Sequence, residues 1–235
     1  MEKIVILLLV FVGSTFAQGL ETATTDSLGH VIQGSVSARS QMVVPKASIW
    51  EIPYASNDNA ISLSIQNNSN IEAESVSVTL SNLPTWLDFK SSTAFVKNIS
   101  PNGSADAELT FSVDRKTPVG KGTTLTAEIS TSDGQKWTKV ITVSVGAPKD
   151  YKLYNNFPNP FNPSTRISFE LPKASHVRLI IYDVVGREVA QVADGDYPAG
   201  YNELTWNGVQ ASSGVYFYRI STDRWSAIKK MLMLK

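Results

Sequence analysis

The chain of 235 residues contains no cysteine and only two histidines. Without cysteine it can form no disulfide, no thiol nucleophile and no cysteine-containing zinc site. His30 and His176 are the only histidines from which a two-histidine metal site or a Ser-His-Asp triad could form, so we expect neither. We therefore expect a protein that is not an enzyme and that carries no metal or cofactor.

Charge is scarce and balanced. Charged residues make up 18% of the chain, below the roughly 25% of an average domain. The 21 basic and 21 acidic residues cancel, so the overall charge favours neither nucleic acid nor an anionic membrane as a partner. The sequence also lacks a phosphate-binding loop.

The N-terminus has the pattern of a secretory signal peptide. Lys3 precedes the apolar run Ile4–Val12, and the small residues Thr15 and Ala17 stand at positions −3 and −1 of a cut before Gln18. A membrane anchor or a buried strand is the alternative, but nine apolar residues fall short of the ~20 that span a bilayer. No other segment is long and apolar enough to span one. The predicted mature chain is then Gln18–Lys235, which is expected to be soluble or held at a surface.

Residues 18–44 are rich in Ser, Thr, Gln and Gly, lack aromatic residues and are predicted to be a flexible leader. From residue 45 apolar and polar residues alternate with period two, as in strands with one buried face. The clearest runs are 61–66, 75–80, 105–114 and 124–129. Turn signals separate them, which indicates an all-β sandwich or barrel over residues 45–147, and we expect an Ig-like sandwich. Trp86, Leu109, Phe111 and Ile141 are its expected core residues.

A second sandwich is predicted after a linker at residues 148–150, because Pro148 cannot donate to a strand ladder. Its expected strands are 166–171, 177–184, 188–193, 201–206, 215–221 and 228–234. The fold class is therefore all-β, with two Ig-like antiparallel sandwiches in tandem after a signal peptide. The first, with Leu83 to Leu87 and Phe111 to Gly120, weakly resembles the Ig-like modules of bacterial glycoside hydrolases and surface proteins. That likeness implies a fold and no activity.

The second sandwich carries a series of motifs in a fixed order. They are Pro158, Asn159, Pro160, Phe161, Asn162 and Pro163, then Asp183 and Gly186, Gly200, Gly214-Val215-Tyr216, and Lys229-Lys230 near the C-terminus. In this order and spacing the series resembles the type A C-terminal sorting domain of the type IX secretion system, a family of the Bacteroidetes and related bacteria. The resemblance covers about residues 151–235.

This resemblance implies an Ig-like domain that addresses its cargo to an outer-membrane translocon. It also implies surface processing machinery that commonly removes the tail, so that the cargo is released or linked to a lipopolysaccharide anchor. The expected location is the outer cell surface or the medium, reached through the periplasm. The prolines themselves predict an extended strip, since each fixes φ near −65°, with Phe157 and Phe161 as its anchors.

The role of the cargo sandwich is open between two interpretations. The first is a structural or adhesive surface protein that binds another protein. The alternative is a carbohydrate-binding accessory module, in which Trp50 and Tyr54 form a platform for a polysaccharide. Asp106 and Glu108 share one strand face and are expected on the solvent side rather than in a glycosidase site. Residues 194–196 (Asp-Gly-Asp) are expected to form an acidic hairpin turn rather than a calcium site.

Overall fold

The computed structural model describes residues 4–12 and 49–235 of the chain. The predicted cleavage site between Ala17 and Gln18 and the leader at 18–44 lie outside these residues. All the regular secondary structure in the described part is β-strand. Within these ranges no helix has the length and apolar character needed to cross a membrane.

The first sandwich is built from two sheets. Its strands are β1 (Ile4–Val12), β2 (Ile49–Ile52), β3 (Asn59–Asn67), β4 (Ala73–Ser81), β5 (Leu87–Phe89), β6 (Thr93–Ile99), β7 (Ser104–Val113), β8 (Thr123–Ser130) and β9 (Lys136–Val145). One sheet has the order β1-β3-β7-β5 and the other β2-β9-β8-β4-β6. β1 runs parallel to β3 and β2 parallel to β9, while the other pairs are antiparallel.

The alternation in the sequence places the first core correctly. Leu109, Phe111 and Ile141 are buried, as predicted. The prediction is wrong for Trp86, which is only partly buried and packs against the same cluster. The core thus lies between the two sheets, and Asp106 on β7 is exposed on the other side of its strand. Glu108 is exposed there as well, which agrees with the predicted solvent face.

The second sandwich follows residues 146–150, which form no strand. Its strands are β10 (Lys152–Leu153), β11 (Ser164–Leu171), β12 (Ser175–Tyr182), β13 (Glu188–Tyr197), β14 (Gly200–Asn207), β15 (Gly214–Ser221) and β16 (Ser226–Met233). The sheets have the orders β10-β11-β14 and β13-β12-β15-β16. β15, which corresponds to the predicted strand 215–221, is an inner strand of its sheet.

One expectation for this domain is wrong. Residues 194–196 are not a turn but lie within β13, and Asp194 and Asp196 are paired in register with Arg178 and His176 of β12. Opposite charges directly across two antiparallel strands stabilise the pairing. The strand therefore continues through an acidic segment, and the chain reverses only after Tyr197.

The two sandwiches meet at a polar joint around Glu170 of β11, a residue that is 7% exposed. Its Oε1 lies 3.4 Å from Nε of Arg115 and 3.2 Å from the hydroxyl of Tyr54, both of the first sandwich. The Arg115 guanidinium also lies 4.7 Å from the centre of the Tyr154 ring, a cation–π distance. Burial, and next the Glu170 charge, raise the pKa of the Tyr54 hydroxyl above its ordinary value.

Candidate functional site

The predicted motif residues 158–163 lie directly beside the last strand. We call residues 154–165 the proline-rich strip. The backbone N–H of Phe161 donates to the Leu232 carbonyl at 3.0 Å, and that of Leu234 donates to the Phe161 carbonyl at 3.0 Å. The Leu232 N–H donates to Oδ1 of Asn159 at 2.9 Å. The strip and β16 are therefore one structural unit, although about 70 residues separate them in the chain.

Phe161 anchors the strip in the second core. Its side chain is 2% exposed, and its ring lies 5.5 Å from that of Trp206 in a tilted arrangement. Trp206 in turn lies edge-on to Tyr216, with ring centres 5.6 Å apart. Aromatic pairs at such distances add to the free energy gained by burial. The sequence prediction for Phe161 is thus confirmed.

Phe157 does not act as a second anchor, and that expectation is wrong. Its side chain is 68% exposed. The reason is its pairing: Phe157 forms an antiparallel bridge with Arg166, and directly opposite side chains share one face of a sheet. Arg166 is on the solvent face, so the Phe157 ring is there too, 5.8 Å from the guanidinium.

The hydroxyl of Tyr218 ties the start of the strip to the core. Tyr218 lies on β15 and is fully buried. Its O–H donates to the Tyr154 carbonyl at 2.7 Å and accepts a hydrogen bond from the Asn156 N–H at 3.0 Å. Burial raises the pKa of Tyr218 to about 12, so the hydroxyl keeps its proton and remains a donor over the physiological range.

Asn156 closes the strip into a loop. Its Nδ2 donates to the Pro158 carbonyl at 3.1 Å and to Oγ1 of Thr165 at 2.9 Å, and that hydroxyl donates to the same Pro158 carbonyl at 2.9 Å. The strip therefore bends at residues 158–160 and again at 162–163, and the predicted extended conformation is wrong. The Phe157–Pro158 and Asn159–Pro160 peptide bonds are cis.

Asn156, Thr165 and Tyr218 are functional candidates that the sequence analysis missed. Asparagine side chains often bond to the backbone two residues further on, so Asn156 before the prolines carried a usable signal. Thr165 and Tyr218 carried none, because their partners lie 7 and 62 residues away in the chain.

Most of the remaining motif residues shape the domain around the strip. Gly186 has φ +79° and lets the chain turn after Asp183. Oδ1 of Asp183 accepts the N–H groups of Val185 and Arg187, each at 3.0 Å, and its Oδ2 accepts Nε of Arg187 at 2.7 Å. Desolvation opposes the charge, but the hydrogen bonds from Arg187 and Val185 outweigh it and lower the pKa of Asp183.

The two later glycines of the motif have different structural roles. Gly200 has φ +101°, and a Cβ there would lie 2.9 Å from Val119, so glycine permits the close approach of the two sandwiches. Gly214 begins β15 opposite Met233. Val215 is partly exposed on the outer face, while Tyr216 is buried and donates its hydroxyl to the Ser212 carbonyl at 2.7 Å.

The two lysines of the motif point to opposite faces of β16. Nζ of Lys229 donates to Oδ1 of Asn155 at 2.9 Å and so adds a contact between β16 and the strip. Lys230 lies opposite Phe217 on the outer face and is exposed. Asn162 is exposed and Pro163 accepts the Gly208 N–H at 2.8 Å.

The two residues suggested as a sugar platform have other contacts. Trp50 is partly buried against the first core. The Tyr54 hydroxyl lies 2.9 Å from the Arg115 carbonyl and 3.2 Å from Glu170 in the joint. Among residues 4–12 and 49–235, no cluster of three or more His, Asp or Glu side chains is arranged to hold a metal ion.

His176 lies between two carboxylates on the surface of the second sandwich. Its Nε2 is 2.8 Å from Asp194 and its Nδ1 is 3.1 Å from Asp196. These hydrogen bonds, that to Asp194 first, raise the pKa of His176 above its ordinary 6.5. A raised pKa in the folded state stabilises the fold at pH below 6.5, and this contribution is lost as pH rises through the folded-state pKa.

The C-terminal domain matches a known family. Residues 155–234 match the family model described as a secretion system C-terminal sorting domain, which confirms the resemblance seen in the sequence. The match includes nearly all of the strip and the whole of β16. No curated protein matches the chain.

Several solved structures resemble the chain at low identity. Dimeric latent PorU from Porphyromonas gingivalis is 14% identical, with 81% of this chain and 19% of PorU covered and a TM-score of 0.32. The CupB2 chaperone of Pseudomonas aeruginosa is 12% identical, with 79% and 98% covered and a TM-score of 0.27. Tandem Ig domains of titin are 10% identical, with 80% and 93% covered and a TM-score of 0.35.

The Tyr218 hydroxyl is expected to matter for the stability of the C-terminal domain. Tyr218→Phe leaves the Tyr154 carbonyl and the Asn156 N–H without their partner in a buried place, which costs about 1–3 kcal/mol. Urea unfolding of the full chain measures this loss. Tyr182→Phe on the partly exposed outer face is the matched control, and equal unfolding free energies for the two variants would contradict this role.

Proposed function

We propose that this is a non-enzymatic protein exported by the type IX secretion system. The proposal starts from residues 155–234, which match the secretion system C-terminal sorting domain. The proposed destination is the outer cell surface or the medium. One observation carries the proposal most: the family match spans both the strip and β16, which the hydrogen bonds of Phe161 and Leu232 join into one unit.

The C-terminal domain is built to act separately from its cargo. It has its own cluster of buried residues, distinct from that of the first sandwich. Domains with their own core can in principle fold alone. The joint that links the two sandwiches is polar and centred on Glu170, and polar interfaces of this kind permit separation more readily than apolar ones.

The proposed route has two steps. The apolar run Ile4–Val12 directs the chain to the periplasm as a signal peptide, and cleavage falls between Ala17 and Gln18. Its removal takes away β1, the edge strand of its sheet, and leaves the β3, β7 and β5 order intact. The outer-membrane translocon then takes up the chain through its C-terminal domain, which the surface machinery commonly removes in the family that it resembles.

We propose a structural or adhesive role for the first sandwich through contact with another protein. Phe95 on the edge strand β6 is 79% exposed, and Ile71 between β3 and β4 is 72% exposed. Aromatic side chains on a surface are frequent anchors of protein interfaces. The alternative, polysaccharide binding, would rest on Trp50 and Tyr54, whose contacts with the first core and with Glu170 limit their access.

Export should depend on the C-terminal domain alone. A reporter with a signal peptide, fused to residues 151–235, is expected on the surface or in the medium of a host with a type IX system. Cell fractionation measures the distribution, and the same reporter fused to the first sandwich is the control. A C-terminal fusion that stays in the periplasm while the full-length protein is exported contradicts the proposal.

Binding by the cargo should depend on Phe95. The full-length protein is expected to bind cell-envelope extracts, and Phe95→Glu should weaken this binding by about tenfold or more, as for an interface anchor. Val209→Glu is the matched control, since Val209 is 54% exposed on the other sandwich. Binding to insoluble polysaccharide that Trp50→Ala abolishes and Phe95→Glu spares would favour the alternative instead.

A further inference from the structure

The outer edge of β16 is covered over only half of its length. β16 pairs with β15 on one side and is the last strand of its sheet. On its other side, Phe161 of the strip pairs with the C-terminal half, through bonds to the Leu232 carbonyl and the Leu234 N–H. The N-terminal half of the same edge, residues 226–230, receives no backbone hydrogen bond from the described residues. Its neighbours there are Asn155, which accepts from Nζ of Lys229, and the short strand β10.

The direction of the backbone groups on this open half follows from those bonds. Both the N–H and the carbonyl of Leu232 bond to the strip, so they point away from β15. Every second residue of an antiparallel strand has this orientation, and the pairing of β16 with β15 continues without a register shift. The N–H and carbonyl groups of Ser226, Ile228 and Lys230 therefore point outward as well.

The side chains around the open half are cationic and apolar. Ile228 is 59% exposed and lies opposite Arg219, while Lys230 lies opposite Phe217. Arg219 and Lys230 are both exposed and make no ion pair with the described residues. Beside them, Tyr182, Phe217, Arg219 and Ile228 line part of a shallow depression of about 400 Å³. Its one acidic residue is Asp183, whose carboxylate is paired with Arg187.

These charges argue against a second copy of the chain as the occupant. Two β16 edges that paired with each other would bring Lys229, Lys230 and Arg219 of both copies together. Like charges close across paired strands are destabilising, and lysine on an edge strand is a common protection against self-association. Carboxylates on an incoming strand would instead form charge-assisted hydrogen bonds with these groups.

We propose that the open half of the β16 edge accepts an extended, acidic segment of the export machinery as an added β-strand. The inference rests on the proposed function and names its recognition surface. The outward groups of Ser226, Ile228 and Lys230 supply main-chain hydrogen bonds, as in other complexes formed by strand addition. Lys230 and Arg219 bind carboxylates of the segment, and the depression beside Phe217 takes one of its apolar side chains.

Proline at position 228 tests the added strand directly. Because the Ile228 N–H points away from β15, Ile228→Pro removes a donor of the open edge and no bond of the β15–β16 ladder. Proline is tolerated on an edge strand in that orientation. Ile228→Val keeps the N–H and is the matched control, while Lys229→Pro removes a ladder bond and shows the effect of damage to the fold.

The measurements are the fraction of full-length protein on the surface of cells with a type IX system, and the unfolding midpoint of each purified variant. We expect Ile228→Pro to reduce export by about tenfold or more, as for loss of a main contact, with a near-normal midpoint. Ile228→Val should be exported normally. Normal export of a folded Ile228→Pro variant would overturn the proposal.

Charge reversal provides a second route if the proline variant does not fold. Arg219→Glu combined with Lys230→Glu should reduce export similarly, whereas Arg224→Glu in the β15–β16 turn should not. Normal export of the double variant would overturn the acidic character of the segment. If wild-type protein itself never reaches the surface, it is the proposed function that fails.

Two further results would replace the proposed occupant. Binding of the wild-type protein to anionic phospholipid vesicles that the double charge reversal abolishes and Ile228→Pro spares would identify a lipid surface. A concentration-dependent dimer in solution that Ile228→Pro abolishes would identify a second copy of the chain. Either result overturns an export-machinery segment as the partner.

Discussion

The placement of the strip depends on one buried hydroxyl. Tyr218 stands at the centre of an inner strand and holds the Tyr154 carbonyl and the Asn156 N–H together. With its backbone held there, Asn156 can direct its side-chain amide at Pro158 and Thr165. The resulting loop brings Phe161 into the core and against β16. A buried polar network specifies one arrangement when its members are satisfied, and here only Oδ1 of Asn156 has no partner among the described residues of the network.

The same arrangement leaves part of the edge of the last strand accessible. β16 lies at the edge of its sheet, where backbone groups are accessible, and the strip covers only the part nearest the C-terminus. The core side of the strand is held by Met231 and Met233, which are buried. On its outer side, Ile228 and Lys230 are exposed. One short strand thus combines a firm attachment to its domain with the exposed surface that we propose for recognition.

The joint with the first sandwich has a different character from either core. Glu170 accepts from groups of the other domain, and Gly200 allows Val119 to approach. An ion pair that is half-exposed on the Arg115 side contributes little to stability. Its partners on the first sandwich, Tyr54 and Arg115, are polar groups that water can solvate after the domains separate. The joint is therefore compatible with the separation of the two domains that we propose.

Sequence reasoning recovered the parts that depend on local pattern. Period-two alternation located strands such as β3 and β7 within one or two residues at each end, and the ordered motifs identified the C-terminal family. It missed β6, whose apolar Phe95 points outward, and β9, whose first half is mostly exposed. It missed Tyr218 as the holder of the strip, because its partners lie far along the chain.

The replacement of residues 151–235 by an unrelated β-sandwich of similar size tests the central claim most directly. The signal peptide and the first sandwich stay unchanged, so folding and entry into the periplasm are preserved. The quantity to measure is the fraction of the protein on the surface and in the medium of cells with a type IX system. The account predicts that the chimaera stays in the periplasm, and its export at the level of the natural chain would contradict the account.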